Sequence, residues 1–372
     1  MLRPLLRLLL RLFGLLLLVS ALALPLLQTP DRSVESLVAR WAPPPSEFID
    51  LNGQLLHYRD VGPRDDPLPI VLLHGGSSSL HTWEAWAQAL RGQRRVISLD
   101  LPAFGLTGPF TGPYAGQSYS GANYVRFVLD VLDRLQLTRF VVAGNSLGGE
   151  VAWRIAAAVP QRVAQLVLVA AAGYPVVATA SHPLVATASY PLVAPASHPL
   201  EANRSAVAMP LGWQIARLPV LGHALEYFLP RPLVVLGLQA VYGDPAKITA
   251  LLVERSYELT LRAGNRAALV QGAQAWSPAE GVAQVSGVVA PTLVLWGGRD
   301  QIIPPALARR FAHDIPGAQV LLFDDLGHVP QEEDPARTVA ALKAFLGIGA
   351  ALVPAAAEPA ASAAARPLLP AR

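Results

Sequence analysis

The sequence predicts a three-layer α/β domain built on a mostly parallel sheet, and three observations lead to that prediction. Short apolar runs recur along the 372-residue chain, and helix-like segments separate most of them. Runs of this length without polar alternation are typical of parallel strands, which are buried on both faces. With 52% hydrophobic and 15% charged residues, the chain also has enough apolar material for a substantial core. The runs lie at residues 70–73, 96–99, 140–143, 166–170, 292–296 and 320–323.

The N-terminal segment, residues 1–27, carries a membrane or export signal. The segment is largely apolar. Its first part contains Arg3, Arg7 and Arg11, and its last part, LFGLLLLVSALALPLL, is uncharged. Positive charge before such a run keeps the N-terminus cytoplasmic and sends the bulk of the chain across the membrane. Ala21-Leu22-Ala23 also fits a cleavage site, so a signal anchor and a removable signal peptide both remain open. We therefore expect an anchored protein on the extracytoplasmic (periplasmic) side, or one secreted after cleavage.

The rest of the chain divides by composition. Residues 28–46 are rich in proline and polar groups, which predicts a linker. FIDLNGQLLHYRDVG follows, and its Asn52-Gly53 predicts a turn between two antiparallel strands. Strand signals stop between about residues 174 and 285, which predicts a helical cap inserted into the sheet domain. The expected domains are a core at residues 47–175 and 285–347, a cap at 176–284, and a disordered Ala/Pro-rich tail at 348–372.

Charge and cysteine content exclude several classes of function. The chain has 29 basic and 26 acidic residues, and the three N-terminal arginines account for its net charge of +3. The remainder is formally neutral, which argues against a nucleic-acid partner. The chain has no cysteine, so disulfides, thiolate metal sites and a cysteine nucleophile are excluded.

The strongest chemical signal is a serine in a glycine-rich turn. Gly144-Asn145-Ser146-Leu147-Gly148 has the pattern G-x-S-x-G and lies between a predicted strand and a helix-like segment. The glycines permit a tight turn that exposes the serine hydroxyl, and the helix N-terminus favours negative charge beside it. The pattern predicts that Ser146 is a nucleophile.

A nucleophilic serine needs a base, and the base needs an orienting acid. Asp300 in WGGRDQIIP and His328 in DDLGHVPQEEDP each come just after a predicted strand, in the expected order of serine, acid and histidine. Asp324, Asp325 and Glu332 are rival carboxylates, but they lie too close to His328 in sequence to orient it. We predict a triad of serine, Asp300 and His328.

Acyl transfer also needs N–H donors that stabilise the oxyanion. The backbone amide of Leu147, directly after the nucleophile, is one candidate. The loop IVLLHGGSSS supplies the other, and we select Gly76 because a glycine lets the backbone approach a ligand closely. His74 in the same loop is expected to brace the loop rather than to react.

Together these motifs resemble those of the α/β-hydrolase-fold family over about residues 47–175 and 285–347. The resemblance rests on HGG at 74–76, DLPAFGLTG at 100–108, GNSLGG at 144–149, WGGRDQIIP at 296–304 and GHVP at 327–330. It implies an eight-stranded, mostly parallel sheet, a helical cap after the sixth strand, and hydrolysis through an acyl-serine without a cofactor. Similar dehalogenases and epoxide hydrolases carry aspartate at the position of Ser146, so those activities are disfavoured. Ala103 departs from the glycine that is more usual in DLPAFG, which puts the conformation of that loop in question.

The resulting hypothesis is a serine hydrolase that cleaves an ester or related acyl bond of a small apolar molecule. Carbon–carbon bond hydrolysis of a dienoic diketone, cofactor-free perhydrolysis and acyl transfer to another acceptor would use the same triad. A non-catalytic binding or receptor protein on this fold is the alternative from another class. The apolar preference rests on cap residues whose expected role is mostly packing, namely Met209, Trp213, Leu218, Tyr227, Phe228 and Trp276.

An octapeptide repeat occupies residues 174–205, with Tyr and His alternating at the head of each unit. A proline at the second position of every unit opposes a long helix. The repeat has no carboxylate before Glu201, so His182 and His198 are poor candidates for metal ligands. We interpret the repeat as duplicated hinge sequence at the rim of the predicted pocket.

Overall fold

The centre of the molecule is an eight-stranded sheet, seen in a computed structural model that describes residues 10–15, 28–174, 209–275 and 282–349. The strand order is β1-β2-β4-β3-β5-β6-β7-β8. β1 and β2 form an antiparallel hairpin, β2 pairs antiparallel with β4, and all remaining pairs are parallel. The strands are β1 Ser46–Asp50, β2 Leu55–Val61, β3 Ile70–Leu73, β4 Val96–Leu99, β5 Phe140–Asn145, β6 Val163–Val169, β7 Thr292–Gly297 and β8 Gln319–Phe323.

Alternate residues of the central strands face two separate apolar cores. Val71 and Leu73 of β3 pack into one core, whereas Ile70 and Leu72 pack into the other. This period of two explains why these strands are continuously apolar in sequence, because neither face meets water. The predicted parallel strands and the turn at Asn52 are confirmed.

Helices cover both faces of the sheet. α3 Gly121–Arg134, α4 Leu147–Ala158 and α10 Ala306–Asp314 contribute to the first core, and α2 Glu84–Leu90 and α12 Pro335–Phe345 contribute to the second. The short helix α11 Pro330–Glu333 directly precedes α12. The three-layer arrangement is therefore the one that the sequence predicts.

A helical cap lies between β6 and β7 in the chain. Its helices are α5 Leu211–Ala216, α6 Pro219–Tyr227, α7 Arg231–Val241, α8 Ala250–Thr260 and α9 Asn265–Ala275. Thr249 caps α8 by accepting a hydrogen bond from the Leu252 amide. Proline stands in the first turn of α6 and α7, where its missing N–H costs nothing.

Residues 28–42 differ from the expected linker, because they form a strap that is fixed to the cap and the core. The strap contains α1 Val34–Trp41, whose buried residues Leu37 and Trp41 lie one turn apart. The Trp41 indole donates to Glu258 of the cap, and the Trp41 carbonyl accepts from His81 of the core. The linker prediction did not include this helix, because the polar composition of the segment obscured an amphipathic stretch of eight residues.

Several predicted features fall outside the described residues. These are the larger part of the N-terminal segment, the repeat after Tyr174, Trp276, and the tail beyond residue 349. Within residues 10–15, 28–174, 209–275 and 282–349, no single helix has the length and apolar character needed to cross a membrane. Two successive helices, α6 and α7, satisfy length and composition together but meet at a bend of 112°.

Candidate active site

Ser146 lies at a sharp turn between β5 and α4. Its backbone has φ 52° and ψ −116°, a conformation that costs an L-residue free energy and that the neighbouring packing maintains. A side chain at Gly144 would place its Cβ 2.1 Å from the Gly148 carbonyl oxygen, and one at Gly148 would meet the Leu73 carbonyl oxygen at 2.1 Å. Both glycines are thus required by close backbone approach, and the turn is the one that G-x-S-x-G predicts.

Asp300 and His328 meet at the same end of the sheet. The Nδ1–H of His328 donates a hydrogen bond of 2.8 Å to Oδ2 of Asp300. The other carboxylate oxygen of Asp300 accepts from the amides of Ile302 and Ile303, which fixes the orientation of the acid. Because Nδ1 donates, Nε2 of His328 is left as the proton acceptor that a general base requires.

Two of the three rival carboxylates form ion pairs elsewhere. Asp325 is exposed and pairs with Arg337, whereas Glu332 pairs with Arg255 of the cap at 2.7 Å. The acid in contact with the imidazole is therefore Asp300, 28 residues before it in the chain.

Ser146 and His328 border one cavity of about 300 Å³. Among the described residues, no hydrogen bond joins the Ser146 hydroxyl to His328. Catalytic hydrogen bonds in unliganded enzymes are often long and tighten when substrate binds. The arrangement brings a strained serine and an oriented imidazole to the same cavity.

Gly76 and Leu147, the two predicted oxyanion donors, also border this cavity. Leu147 is the first residue of α4, so its amide has no partner within the helix. Neither amide donates a hydrogen bond elsewhere among the described residues. Both are thus available to a ligand beside Ser146.

His74 fixes the loop that carries Gly76. Its Nδ1–H donates to the Gly75 carbonyl at 2.7 Å, and its Nε2 accepts from the Leu101 amide at 2.9 Å. Burial lowers the pKa of His74, more than the nearby Asp100 raises it, so the neutral ring with both nitrogens occupied is favoured. This geometry confirms the predicted bracing role.

Asn145 is a site residue that the sequence analysis did not identify. It is buried directly before the nucleophile, and its side-chain amide donates to the carbonyls of Val169 at 3.1 Å and His328 at 3.0 Å. The residue thus ties the serine turn to the histidine loop. Its position inside the G-x-S-x-G motif was the available signal.

Glu333 is a second such residue, and it joins the histidine loop to the cap. Its carboxylate accepts from the amide of Gly327 at 2.6 Å and from those of Gly243 and Asp244 at 2.9 and 3.3 Å. Burial raises the pKa of Glu333, and the three amides offset this only in part. The His328 amide also donates to the Val241 carbonyl of the cap at 2.8 Å. The histidine loop is therefore joined to the cap both through the Glu333 carboxylate and through this main-chain hydrogen bond.

The cavity wall is mainly apolar and comes mostly from the cap. Met209 and Trp213, two of the residues singled out from the sequence, border it, whereas Leu218 and Tyr227 are exposed on the outside. Tyr174, the first residue of the repeat, and Met209, where the described chain resumes after it, both border the cavity. The apolar wall is formed largely by Trp213, Leu225, Leu229, Leu233, Leu238 and Leu269.

The charged side chains in the described wall are compensated. Arg255 pairs with Glu332, Arg266 pairs with Asp31 of the strap at 2.7 Å, and Glu150 pairs with Arg154 at 2.8 Å. No group of three or more His, Asp or Glu side chains in the described ranges could hold a metal ion. The cavity as described therefore suits a neutral, largely apolar molecule.

The chain was compared with known proteins of related sequence and structure. It is 30% identical over 307 residues to the dihydrolipoyllysine-residue acetyltransferase component of the acetoin cleaving system of Pseudomonas putida, a match that covers 82% of this chain and 70% of that one. A thermophilic esterase from Thermogutta terrifontis superposes with a TM-score of 0.61 at 20% identity, covering 81% of this chain and 98% of the esterase. A bacterial membrane phospholipase A superposes with a TM-score of 0.59 at 24% identity, covering 93% and 98%.

The two structural similarities concern the fold, since both identities are below 25%. The sequence of residues 70–342 matches the model of the alpha/beta hydrolase family. This range contains the serine turn, Asp300 and His328. The chain belongs to the alpha/beta hydrolase family, and it is a hydrolase.

Proposed function

We propose that this hydrolase cleaves the ester bond of a small, neutral and largely apolar substrate through an acyl-serine intermediate on Ser146. The observation that carries the proposal is the placement of Ser146 and His328 on one cavity, with Asp300 bonded to the far side of the imidazole. An apolar cavity with few polar groups at its base is the usual form of a small-molecule site.

The first half-reaction forms the acyl-enzyme. Nε2 of His328 takes the hydroxyl proton of Ser146 as Oγ attacks the carbonyl carbon, and the carbonyl oxygen becomes an oxyanion. The amides of Gly76 and Leu147 donate to this oxyanion. His328 then gives its proton to the leaving alkoxide, so an alcohol departs and the acyl group stays on the serine.

The second half-reaction consumes one water molecule. His328 removes a proton from water as the oxygen attacks the acyl carbon, and it returns that proton to Ser146 Oγ when the acid leaves. Asp300 remains ionised throughout and stabilises the imidazolium that forms twice. The net reaction is ester and water to acid and alcohol.

The compensated cavity charges favour a neutral ester over a carboxylated diketone. A substrate carboxylate at Arg255 would have to displace Glu332, and the displaced carboxylate would then lack its partner. We therefore prefer ester hydrolysis to the carbon–carbon bond hydrolysis that the same triad could perform.

The test is a substrate screen on the full chain with Ser146→Ala as its partner variant. We expect hydrolysis of short p-nitrophenyl esters and labelling by a fluorophosphonate, both lost in Ser146→Ala, which should fold normally. Thr111→Ala, a substitution in an exposed loop outside the cavity, is the matched control and should retain both. Labelling that persists in Ser146→Ala would contradict the nucleophile, and a folded protein that neither turns over nor labels would favour a binding protein.

For the N-terminal segment we propose a signal anchor that places the hydrolase domain outside the cytoplasm. The support is in the sequence, where three arginines flank an apolar run that continues past the possible cleavage site. A full-length species that pellets with membranes and resists carbonate extraction is expected. A soluble form trimmed near Ala23 would contradict the anchor and favour secretion.

A further inference from the structure

The cap has an outward surface rich in exposed apolar side chains. We call this surface the outer face of the cap. α5 contacts both α6 and α7, so these exposed side chains lie on three adjacent helices. Single exposed apolar residues are ordinary, but a cluster on adjacent helices marks an interaction surface. The outer face comprises Leu211, Leu218, Val220, Leu221, Tyr227 and Leu236.

The strap is bonded to the edge of this face shortly after the most apolar part of the sequence ends. The Thr29 amide donates to the Tyr227 carbonyl at 2.9 Å, at the end of α6. The uncharged apolar run of the sequence ends at Leu27, two residues before that hydrogen bond. The chain therefore enters the described fold at the edge of the outer face, directly after a segment with the composition of a membrane sequence.

The charges near the outer face fit lipid headgroups. Residues 209–241 contain three formal charges, those of Arg217, Glu226 and Arg231. Arg217 directly precedes Leu218, is exposed, and forms no ion pair with any described residue. Apolar side chains beside a free arginine are typical of helices that lie in a membrane interface.

The opposite sides of α6 and α7 form the cavity wall. Leu225 and Leu238 border the cavity, whereas Val220 and Leu236 are exposed on the far sides of the same two helices. A helix with its side chains is about 10 Å thick. A bilayer on the outer face would thus lie within one helix diameter of the cavity.

We propose that the outer face of the cap docks on a lipid bilayer, with Val220 and Leu221 inserted among the headgroups. This docking does not depend on the proposed ester hydrolysis, and Ser146→Ala should dock equally well. A lipid surface is the occupant favoured because the apolar, membrane-type sequence ends two residues before the hydrogen bond at this face, and because the exposed Arg217 beside the face has no ion pair among the described residues.

The full chain contains no cysteine, so a single introduced cysteine provides one labelling site for the test. Val220→Cys and Val289→Cys are each labelled with an environment-sensitive fluorophore; these positions are 82% and 75% exposed, and Val289 lies on the core domain. Each protein is mixed with phosphatidylcholine vesicles, with and without phosphatidylglycerol, that carry a lipid-borne quencher. We expect a blue shift and quenching at position 220 and neither at position 289.

Four other outcomes would overturn the proposal. The protein could pellet with vesicles while the label at 220 stays in water, or it could fail to bind vesicles at all. Equal quenching at both positions would indicate non-specific adsorption. A label at 220 already shielded before vesicles are added would mean that protein covers the face. Shielding lost on dilution would identify a second copy, and shielding that persists would identify a segment of the same chain.

Discussion

Asn145 donates a hydrogen bond of 3.0 Å from its side-chain amide to the main-chain carbonyl of His328. The donor immediately precedes Ser146, and the acceptor belongs to the residue that we assign as the base. The second amide hydrogen bond, to Val169 of β6, anchors Asn145 in the sheet. The distance between nucleophile and base is therefore set partly by a residue that takes no part in the chemistry.

We expect Asn145→Ala to lower kcat for ester hydrolysis by about 10- to 100-fold, because small displacements of a catalytic group are costly. KM should change less, since Asn145 mainly positions other groups. Steady-state kinetics on a p-nitrophenyl ester measure both values. Asn123→Ala is the matched control, because the Asn123 amide also donates to a carbonyl, that of Ser118 on the surface. A variant with unchanged kcat would show that the histidine loop holds its position without Asn145.

Glu333→Gln should lower both stability and kcat. The amide that replaces one carboxylate oxygen cannot accept from Gly327 or from Gly243, so a buried N–H loses its partner. An unsatisfied buried donor costs about 1–3 kcal/mol, and looser contact between loop and cap should reduce kcat about tenfold. Denaturant unfolding and steady-state kinetics give the two values.

Asp325→Asn is the control for Glu333, because Asp325 is an exposed carboxylate in the same loop. It should change stability by less than about 0.5 kcal/mol. Equal effects of the two substitutions would mean that Glu333 acts only through its negative charge and not through its hydrogen bonds to Gly327 and Gly243.

The contrast between Asp300 and Glu333 explains how far the sequence could predict the site. Asp300 follows a buried strand within a recognisable motif, and strand ends converge at one edge of a parallel sheet, so its role can be predicted. Glu333 lies in a run of three acidic residues, and the run does not indicate which carboxylate turns inward. That choice depends on Gly243, ninety residues away, which only the folded cap brings near.

The strap illustrates the same difficulty for the fold. The central strands could be predicted because their residues are predominantly apolar, as burial on both faces requires. The short amphipathic helix α1 has only Leu37 and Trp41 as its buried residues, and its partners are in distant segments. Local pattern could therefore predict the sheet but not the attachment of residues 28–42.

Ala103→Gly should stabilise the protein. Ala103 has φ 78°, in the left-handed region, and its amide is fixed by a 2.7 Å hydrogen bond to Gly108. The left-handed conformation costs a residue with Cβ about 1–2 kcal/mol, while glycine adds about 0.4–1 kcal/mol of unfolded-state entropy. We expect a net gain of about 0.5–1 kcal/mol, measured by denaturant unfolding. A loss of stability would mean that the Ala103 methyl, at the edge of the cavity, contributes more by packing than its backbone costs.

The buried ring of His81 should make the protein less stable in mild acid. Its Nε2–H donates to the Trp41 carbonyl of the strap, and its Nδ1 accepts from the Ser79 hydroxyl. Burial lowers the pKa of His81 from 6.5 to about 4, although Asp100 acts in the opposite direction. The folded state therefore resists a proton that the unfolded chain accepts below about pH 6.5, so stability is lost as the pH falls from there to about 4.

We expect protonation of His81 to lower the free energy of unfolding by up to about 3 kcal/mol across that range, at no more than about 1.36 kcal/mol per pH unit. Denaturant unfolding of the wild type and of His81→Gln at several pH values measures the difference. The glutamine amide can replace the donor to Trp41 but does not titrate, so the variant should lose less stability in acid than the wild type. Parallel curves would contradict the assignment, because the acid sensitivity would then arise from other groups, of which buried His74 is the first to test.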